Sequence, residues 1–309
     1  MDFRQLEYII SIAEEGSLLA AAEKLFLSSS ALSQHVSRLE KELNATLFTR
    51  SKSGWILTPA GRIYTNMARE MLQKQKIAYQ QISDLSGYVT GSFTVGITPG
   101  RGTAMFSNVF PKFKAMYPDV KVNLFEGTVW EISEKIATGK IDIGFLTSGL
   151  EHPSISTNKL AWEQIVLVVP KSHSLAYLAD EAPPGDLATV DLNLFRNDEF
   201  LLAGEGTTLR ALENQAFNAA GFTPKISFET DSLVTLNALS KSGYGISFLP
   251  FFYIEEMKEA VSFSTIPPIG WDLCVAYRND SYITKAEQAF IILVSEFYNL
   301  NQSASKIEA

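Results

Sequence analysis

Five polar side chains between positions 30 and 41 carry the first chemistry legible in this sequence. Ser30, Gln34, Ser37, Arg38 and Lys41 recur at spacings that place them on one side of an α-helix, with Ser33 and His35 at its flanks. Hydroxyl and amide groups of this length reach the edges of base pairs, while Arg and Lys neutralise phosphates. Leu32, Val36, Leu39 and Leu43 fall on the other side as an apolar stripe and are expected to be buried. Taken alone, such a helix also reads as a surface helix whose polar face meets water. A second group consists of Thr98, Gly100, Arg101, Thr128, Thr207 and Thr230, each in a loop that leads into an expected helix. Helix N-termini present free N–H groups, and with hydroxyls beside them they suit a carboxylate or similar anion. Arg101 could pair a carboxylate through two hydrogen bonds, or face water from its Gly-rich loop. Plain capping competes with ligand binding at the threonines. Thr128 followed by Glu131 forms a capping box, and Thr207 suits an ordinary N-cap.

Other chemistries are poorly served. Cys274 is the only cysteine, which excludes an intramolecular disulfide, a multi-cysteine metal site and a two-cysteine thiol sensor. It alternates with apolar neighbours and reads as core. His35, His152 and His173 lie far apart without ligand spacing, and the last two read as surface residues. No nucleophile–base pair is recognisable, and Gly100-Arg101-Gly102 lacks the third glycine of a dinucleotide loop. No catalytic residue, metal or cofactor is therefore expected.

The 309 residues carry a formal charge of −8, unevenly spread. Residues 1–90 hold 10 Lys+Arg against 9 Asp+Glu, and the remainder holds 16 against 25. Within Gln34–Lys76 the count is 8 against 3, so one part is suited to a polyanion and the other is not. The opening MDFRQLEYIIS carries acids where a signal peptide carries bases, and no apolar run approaches the ~18 residues of a membrane span. The expectation is a cytoplasmic protein with no membrane partner.

The elements that would position the first group follow from periodicity and caps. Phe3–Glu15 is amphipathic and stops at Gly16; Ser17 caps a short helix to about Leu25; Ser28–Ser30 turns the chain into a third helix, about Ser30–Leu43. Leu47–Arg50 and Trp55–Leu57 read as two short strands around a polar, basic tip containing Lys52. Helix, turn, helix and basic wing form a winged helix-turn-helix, whose third helix enters the major groove. Thr58-Pro59 then restarts a helix that runs to about Leu85, with Ile63, Met67, Met71, Ala78, Ile82 and Leu85 near heptad spacing, as in a helix that packs on a second copy. From Gly91 onward strands and helices alternate, which argues for doubly wound α/β sheets with a ligand at the strand ends. Pro111, inside an expected helix ending at about Tyr117, should start a new turn or kink it.

The segment AAAEKLFLSSSALSQHVSRLEKELNATLFTRSKSGWILTPAG resembles the N-terminal signature of LysR-type transcriptional regulators. The matching positions are Ala21-Ala22, Leu25, Ser28–Ser30, Ala31-Leu32-Ser33, Leu39-Glu40, Leu47-Phe48-Thr49-Arg50 and Leu57-Thr58-Pro59-Ala60-Gly61. Three positions depart from the pattern: Ser29 stands for a usual base-reading Gln, Leu19 for a Thr, and Asn44 for a Gly. Further on, Phe110-Pro111…Tyr117-Pro118, Gly139–Gly144 and Gly221–Pro224 through Gly243–Pro250 look like the family's effector-binding domain. The resemblance implies a winged helix-turn-helix DNA-binding domain (1–58), a linker and dimerisation helix (59–87), and an α/β periplasmic-binding-protein-like effector domain (91–303). The last would comprise two doubly wound subdomains, 91–162 with 270–300 and 163–269, joined by crossings near Ala161–Val168 and Phe263–Asp272.

DNA-contact residues would be Ser29, Ser30, Ser33, Gln34, Ser37, Arg38, Lys41, Arg50 and Lys52. Effector contacts would be Thr98, Gly100, Arg101, Thr128, Thr207 and Thr230, with the family favouring Thr98, Thr128 and the Thr207 loop. Implied partners are double-stranded operator DNA, a small anionic effector, a second copy in a homodimer or homotetramer, and RNA polymerase. A cytoplasmic solute-binding protein with a degenerate N-terminal domain is the alternative. The intact Leu47–Arg50 and Leu57–Gly61 motifs count against it.

Overall fold

The computed structural model describes residues 2–51, 54–86, 89–149, 152–183, 186–254 and 257–307, with side chains described as far as residue 299. Two compact units divide the chain, Met1–Gly87 and Tyr88–Ala309.

In the first unit, helices α1 (Phe3–Glu15), α2 (Leu18–Lys24) and α3 (Ser29–Leu43) precede a hairpin of β1 (Phe48–Ser51) and β2 (Gly54–Leu57), and helix α4 (Pro59–Ser86) follows. Each early helix has a side-chain cap: Asp2 accepts from Arg4 N–H, Ser17 from Ala20 N–H and Ser28 from Ala31 N–H. Asn44 ends α3 in the left-handed region at φ 49°, as its short amide allows. The core joins Leu6, Ile9 and Ile12 of α1, Ala21 and Ala22 of α2, Leu32, Val36 and Leu39 of α3, and Tyr64 and Ala68 of α4. Leu43 departs from expectation, because the last turn of α3 extends past this core and leaves it 41% exposed. Helix α4 lies against α1 through its first turns. Its other apolar residues face outward: Ile63 in the first turns is 74% exposed, and farther along Leu85 is 87% exposed and Tyr79 and Ile82 are also exposed.

In the second unit the chain runs β3 (Gly91–Ile97), α5 (Arg101–Met116), β4 (Val120–Glu126), α6 (Val129–Ala137), β5 (Ile143–Thr147), β6 (Ile155–Pro170), β7 (Thr189–Val190), β8 (Glu199–Ala203), α7 (Thr208–Ala220), β9 (Lys225–Thr230), α8 (Leu233–Lys241), β10 (Ile246–Pro250), β11 (Ala260–Thr265), β12 (Ile269–Arg278) and α9 (Lys285–Ile307). Strand order is β4-β3-β5-β12-β6-β10-β8-β9, with β11 on β6 and β7 on β11. Strands β3, β4 and β5 are parallel to one another, as are β8, β9 and β10, so each half has the doubly wound pattern. The long strands β6 and β12 pair antiparallel from Ile269↔Ile165 to Arg278↔Ile155 and carry the chain between the halves. Ile165–Val169 are all fully buried. Phe93, Phe106, Phe113 and Phe145 surround Phe290 at centroid distances of 5.3–6.0 Å. No helix among the described residues is long and apolar enough to cross a membrane.

Two expectations need correction. The second crossing starts later than Phe263: β11 ends at Thr265, a turn with a cis Ile266–Pro267 bond intervenes, and β12 makes the crossing, sharing only Ile269–Asp272 with the expected range. Pro111 neither breaks α5 nor restarts it. It sits on the exposed side of a continuous helix, where solvent can serve the carbonyl that loses its N–H partner.

Candidate functional site

The polar face of α3 is open. Ser30, Gln34, Ser37, Arg38 and Lys41 are exposed along one side, and Ser29 and Ser33 are half-buried beside them. Ser28 is the N-cap proper, so Ser29 begins the first turn, and Ser30 Oγ lies 3.1 Å from Ser28 Oγ. Arg38 reaches back to His35 Nδ1 at 2.9 Å, and the His35 ring sits 5.0 Å from that of Tyr8. Arg50, on β1 opposite Trp55, lays its guanidinium over the indole at 5.1 Å. Lys52 lies outside the described residues.

The hairpin is fixed to the helices by bonds that several signature residues supply. Glu40 Oε1 accepts from Leu47 N–H at 2.7 Å and Phe48 N–H at 3.3 Å, tying the start of the wing to α3. Trp55 N–H donates to the Gly16 carbonyl at 2.8 Å. Thr58 Oγ1 donates to the Thr46 carbonyl at 2.7 Å and accepts from Gly61 N–H at 2.9 Å. Gly61 itself is required by proximity, since a Cβ there would stand 2.0 Å from the Leu47 carbonyl oxygen. The arrangement is a helix-and-wing surface tied together by these bonds, with cations at both parts. It can meet phosphates through Arg and Lys and base edges through Ser and Gln.

The second unit holds a cavity of about 530 Å³. Thr98, Arg101, Thr128, Thr207 and Thr230 all line it, so five of the six residues singled out in the sequence come together. Gly100 is not among them. Its backbone is at φ 75°, and a Cβ there would stand 2.3 Å from the Tyr253 hydroxyl, so its role is to admit that tyrosine. Several lining residues went unread: Trp130, Thr147, Glu205, Asp231 and Trp271. One signal could have found Thr147. Thr98, Thr147, Ala203, Thr230 and Pro250 each stand at the C-terminal end of a parallel strand, where open α/β sheets bind ligands.

The capping hydroxyls are already engaged. Thr128 Oγ1 accepts from Glu131 N–H at 3.2 Å and donates to Glu131 Oε2 at 3.0 Å; the Thr128 backbone N–H at 2.8 Å, and then this hydroxyl, hold the Glu131 carboxyl below the usual carboxylate range. Thr207 Oγ1 accepts from Arg210 N–H at 3.1 Å and donates to the Gly204 carbonyl at 2.9 Å. What these helix starts still offer is the N–H groups of their first turns, which have no partner inside the helix. Thr98 differs, because its half-buried hydroxyl has no hydrogen-bond partner among the described residues. Thr147 and Thr208 share a hydrogen bond at 3.0 Å across the cleft.

Arg101 is turned inward. Its guanidinium is paired with Glu163 of β6 and lies 5.2 Å from the Phe252 ring and 5.1 Å from the Tyr298 ring. Burial lowers its pKa, opposed by Tyr298 and Tyr253. Glu163 also accepts from Trp271 Nε1 at 2.9 Å and Phe252 N–H at 3.2 Å. Arg101 is therefore neither a free carboxylate clamp nor a solvated loop cation. On the other side of the cavity, buried Arg210 pairs with Glu205 and Glu229, each at 2.9 Å. No group of three or more metal-ligating side chains occurs among the described residues.

Comparison with known proteins gives the family. Residues 3–62 match the family model for bacterial regulatory helix-turn-helix proteins of the lysR family, and residues 86–298 match that for the LysR substrate binding domain. The chain is 31% identical to the transcriptional dual regulator GltC of Bacillus subtilis, over 81% of each chain. Full-length OxyR from Pseudomonas aeruginosa shares the fold with a TM-score of 0.70 at 24% identity, covering 97% of this chain and 95% of the other. Full-length CbnR, solved in complex with its target DNA, gives a TM-score of 0.58 at 23% identity, covering 96% and 99%. The substrate-binding match alone spans more than half of the sequence, and this chain belongs to the LysR family of DNA-binding transcriptional regulators, which are not enzymes.

Proposed function

We propose that this regulator reads its operator with the exposed face of α3 and the Arg50 wing, and that a small amphipathic carboxylate in the 530 Å³ cavity controls it. The observation that carries the reading is the convergence of Thr98, Thr128, Thr207 and Thr230, from four separate loops, on one cavity. N–H groups at the starts of α6 and α7, with the unpartnered Thr98 hydroxyl, would hold the anionic group. Trp130, Leu209, Leu233, Val234, Pro250 and Trp271 would cover an apolar body. The exposed apolar residues of α4 support self-association through that helix in a dimer or tetramer, with the chain divided into reader (1–58), linker (59–87) and effector (91–303) parts. Ligand would act by binding one arrangement of the oligomer more tightly than another. A cytoplasmic location and contact with RNA polymerase belong to the same reading.

The test is a panel of small carboxylates and their matched amides, screened by thermal shift on the full-length protein and then by titration. Carboxylates should bind at least about tenfold more tightly than their amides, the scale of a charge-assisted hydrogen bond. Thr98→Val should erase most of that preference while leaving DNA binding intact. Amides that bind as well as acids would refute the anionic effector.

A further inference from the structure

Helix α2 ends in a six-to-one and five-to-two pair of backbone bonds, Leu27 N–H to the Ala22 carbonyl at 2.8 Å and Phe26 N–H to the Glu23 carbonyl at 3.1 Å. That motif places Phe26 at the left-handed position, φ 56°, where glycine is the usual occupant and an aromatic residue is strained. Leu27 turns inward and packs on the core of the unit. Phe26 turns outward and is 96% exposed, with no ring contact among the described residues. The two backbone bonds and the packing of Leu27 hold the strained turn in place, and nothing within the described chain covers the ring.

Its place supplies the reason. Phe26 stands two residues before Ser28, the N-cap of α3, so it borders the first turn of the helix that carries Ser29, Ser30 and Gln34. In a helix-turn-helix it is this end of the third helix that enters the major groove. We infer that Phe26 is a DNA-contact residue, adding an apolar contact beside the polar face of α3. The chemistry available to a phenyl ring at a groove edge is packing against a thymine methyl or a deoxyribose, neither of which neutralises a phosphate. The inference rests on the family's DNA binding and on the placement of α3, and no ligand in the effector cavity enters it.

The discriminating variant is Phe26→Asn, since Asn tolerates the left-handed conformation and removes the ring. Fold stability should therefore hold or rise, while affinity falls. The probes are duplexes selected from a random-sequence library by the wild-type protein, and an unselected duplex. Affinity for the selected duplexes should drop about tenfold, roughly half the effect of fully burying a phenyl ring. The slope of affinity against salt should stay unchanged, because no phosphate contact is lost. Phe26→Leu, which keeps an apolar group, should retain most of the affinity. Wild-type affinity in Phe26→Asn would overturn the inference. So would a lowered melting temperature or a changed sedimentation coefficient with DNA binding intact, which would assign the ring to the fold or to a protein interface.

Discussion

Replacing Glu213 by Gln should stabilise the second unit at neutral pH, and the gain should disappear in acid. Glu213 is fully buried on α7, and its carboxyl oxygens accept from Ala203 N–H at 3.1 and 3.3 Å. Burial pushes its pKa from 4.5 to about 8; the Ala203 bond and the Arg210 charge pull it back, and Glu229 pushes it up further. The folded protein therefore keeps this proton up to about pH 8, whereas the unfolded chain releases it near 4.5. Between those values the folded state binds more protons, so stability falls as pH rises through the window and levels off above it. At ~1.4 kcal/mol per pH unit, the penalty is on the order of 3 kcal/mol at pH 7, about 5 above pH 9, and under about 1 at pH 5. Gln keeps an acceptor for Ala203 N–H and cannot ionise. For a unit of this size, ~3 kcal/mol corresponds to a melting temperature about 6–12 °C higher at pH 7. Thermal unfolding of the full chain from pH 5 to 9, followed by tryptophan emission, is a suitable assay, because Trp130, Trp162 and Trp271 all belong to this unit. A Gln variant melting at or below wild type at pH 8, or offset by the same amount at every pH, would refute the reasoning.

Gly61→Ala should destabilise the first unit by about 2 kcal/mol or more, because its Cβ would stand 2.0 Å from a backbone carbonyl; thermal melting followed by loss of DNA binding would read it, and an unchanged midpoint would exclude the close contact. Glu163→Gln leaves the buried Arg101 guanidinium uncompensated and should cost the second unit about 3 kcal/mol. Adding Arg101→Met to it should recover much of that loss, and a double variant no better than the single in urea unfolding would count against the pair. Arg38→Ala and Arg50→Ala should each weaken binding to all duplexes and lower the slope against log salt by about one, a change absent if neither residue meets a phosphate.

The first unit was legible because its structure is set locally. The limits of α1, the Ser17 cap and the serine turn before α3 each follow from a few neighbouring residues. Longer-range features were harder to read. Residues 155–160, Ile-Ser-Thr-Asn-Lys-Leu, lack the apolar run that Ile165–Val169 carry in the same strand. They are held extended by β12, which pairs Ser156 with Tyr277 and Asn158 with Val275. Only the buried half of the sixteen-residue strand therefore carries a local signal. In the cleft, helix starts were visible as Thr and Gly signals, and the structure gathers the threonines. Trp271, drawn in from a crossing strand, has no local signal of its own, and Thr147 is marked only by its place at the end of a parallel strand.

Arg101 shows why that difference matters for function. A guanidinium in a Gly-rich loop gives no hint that its counter-ion lies on β6, and without Glu163 the cleft would be read as a cationic trap for anions. With the pair made, the charges around the cavity are matched by the protein itself: Arg101 by Glu163, and Arg210 by Glu205 and Glu229, while Asp231 adds an acid to the lining. An anionic effector would then depend on N–H groups and hydroxyls, whose attraction acts over a few ångströms and is weakly screened when buried. The proposed DNA-reading surface would work the other way, through exposed Arg and Lys whose contacts with phosphates weaken steeply as salt rises. The two binding events in one chain should therefore separate with ionic strength. Raising salt should loosen the operator over the range in which effector affinity barely changes, and equal loss of both would mean that a free cation, rather than the helix starts, holds the effector.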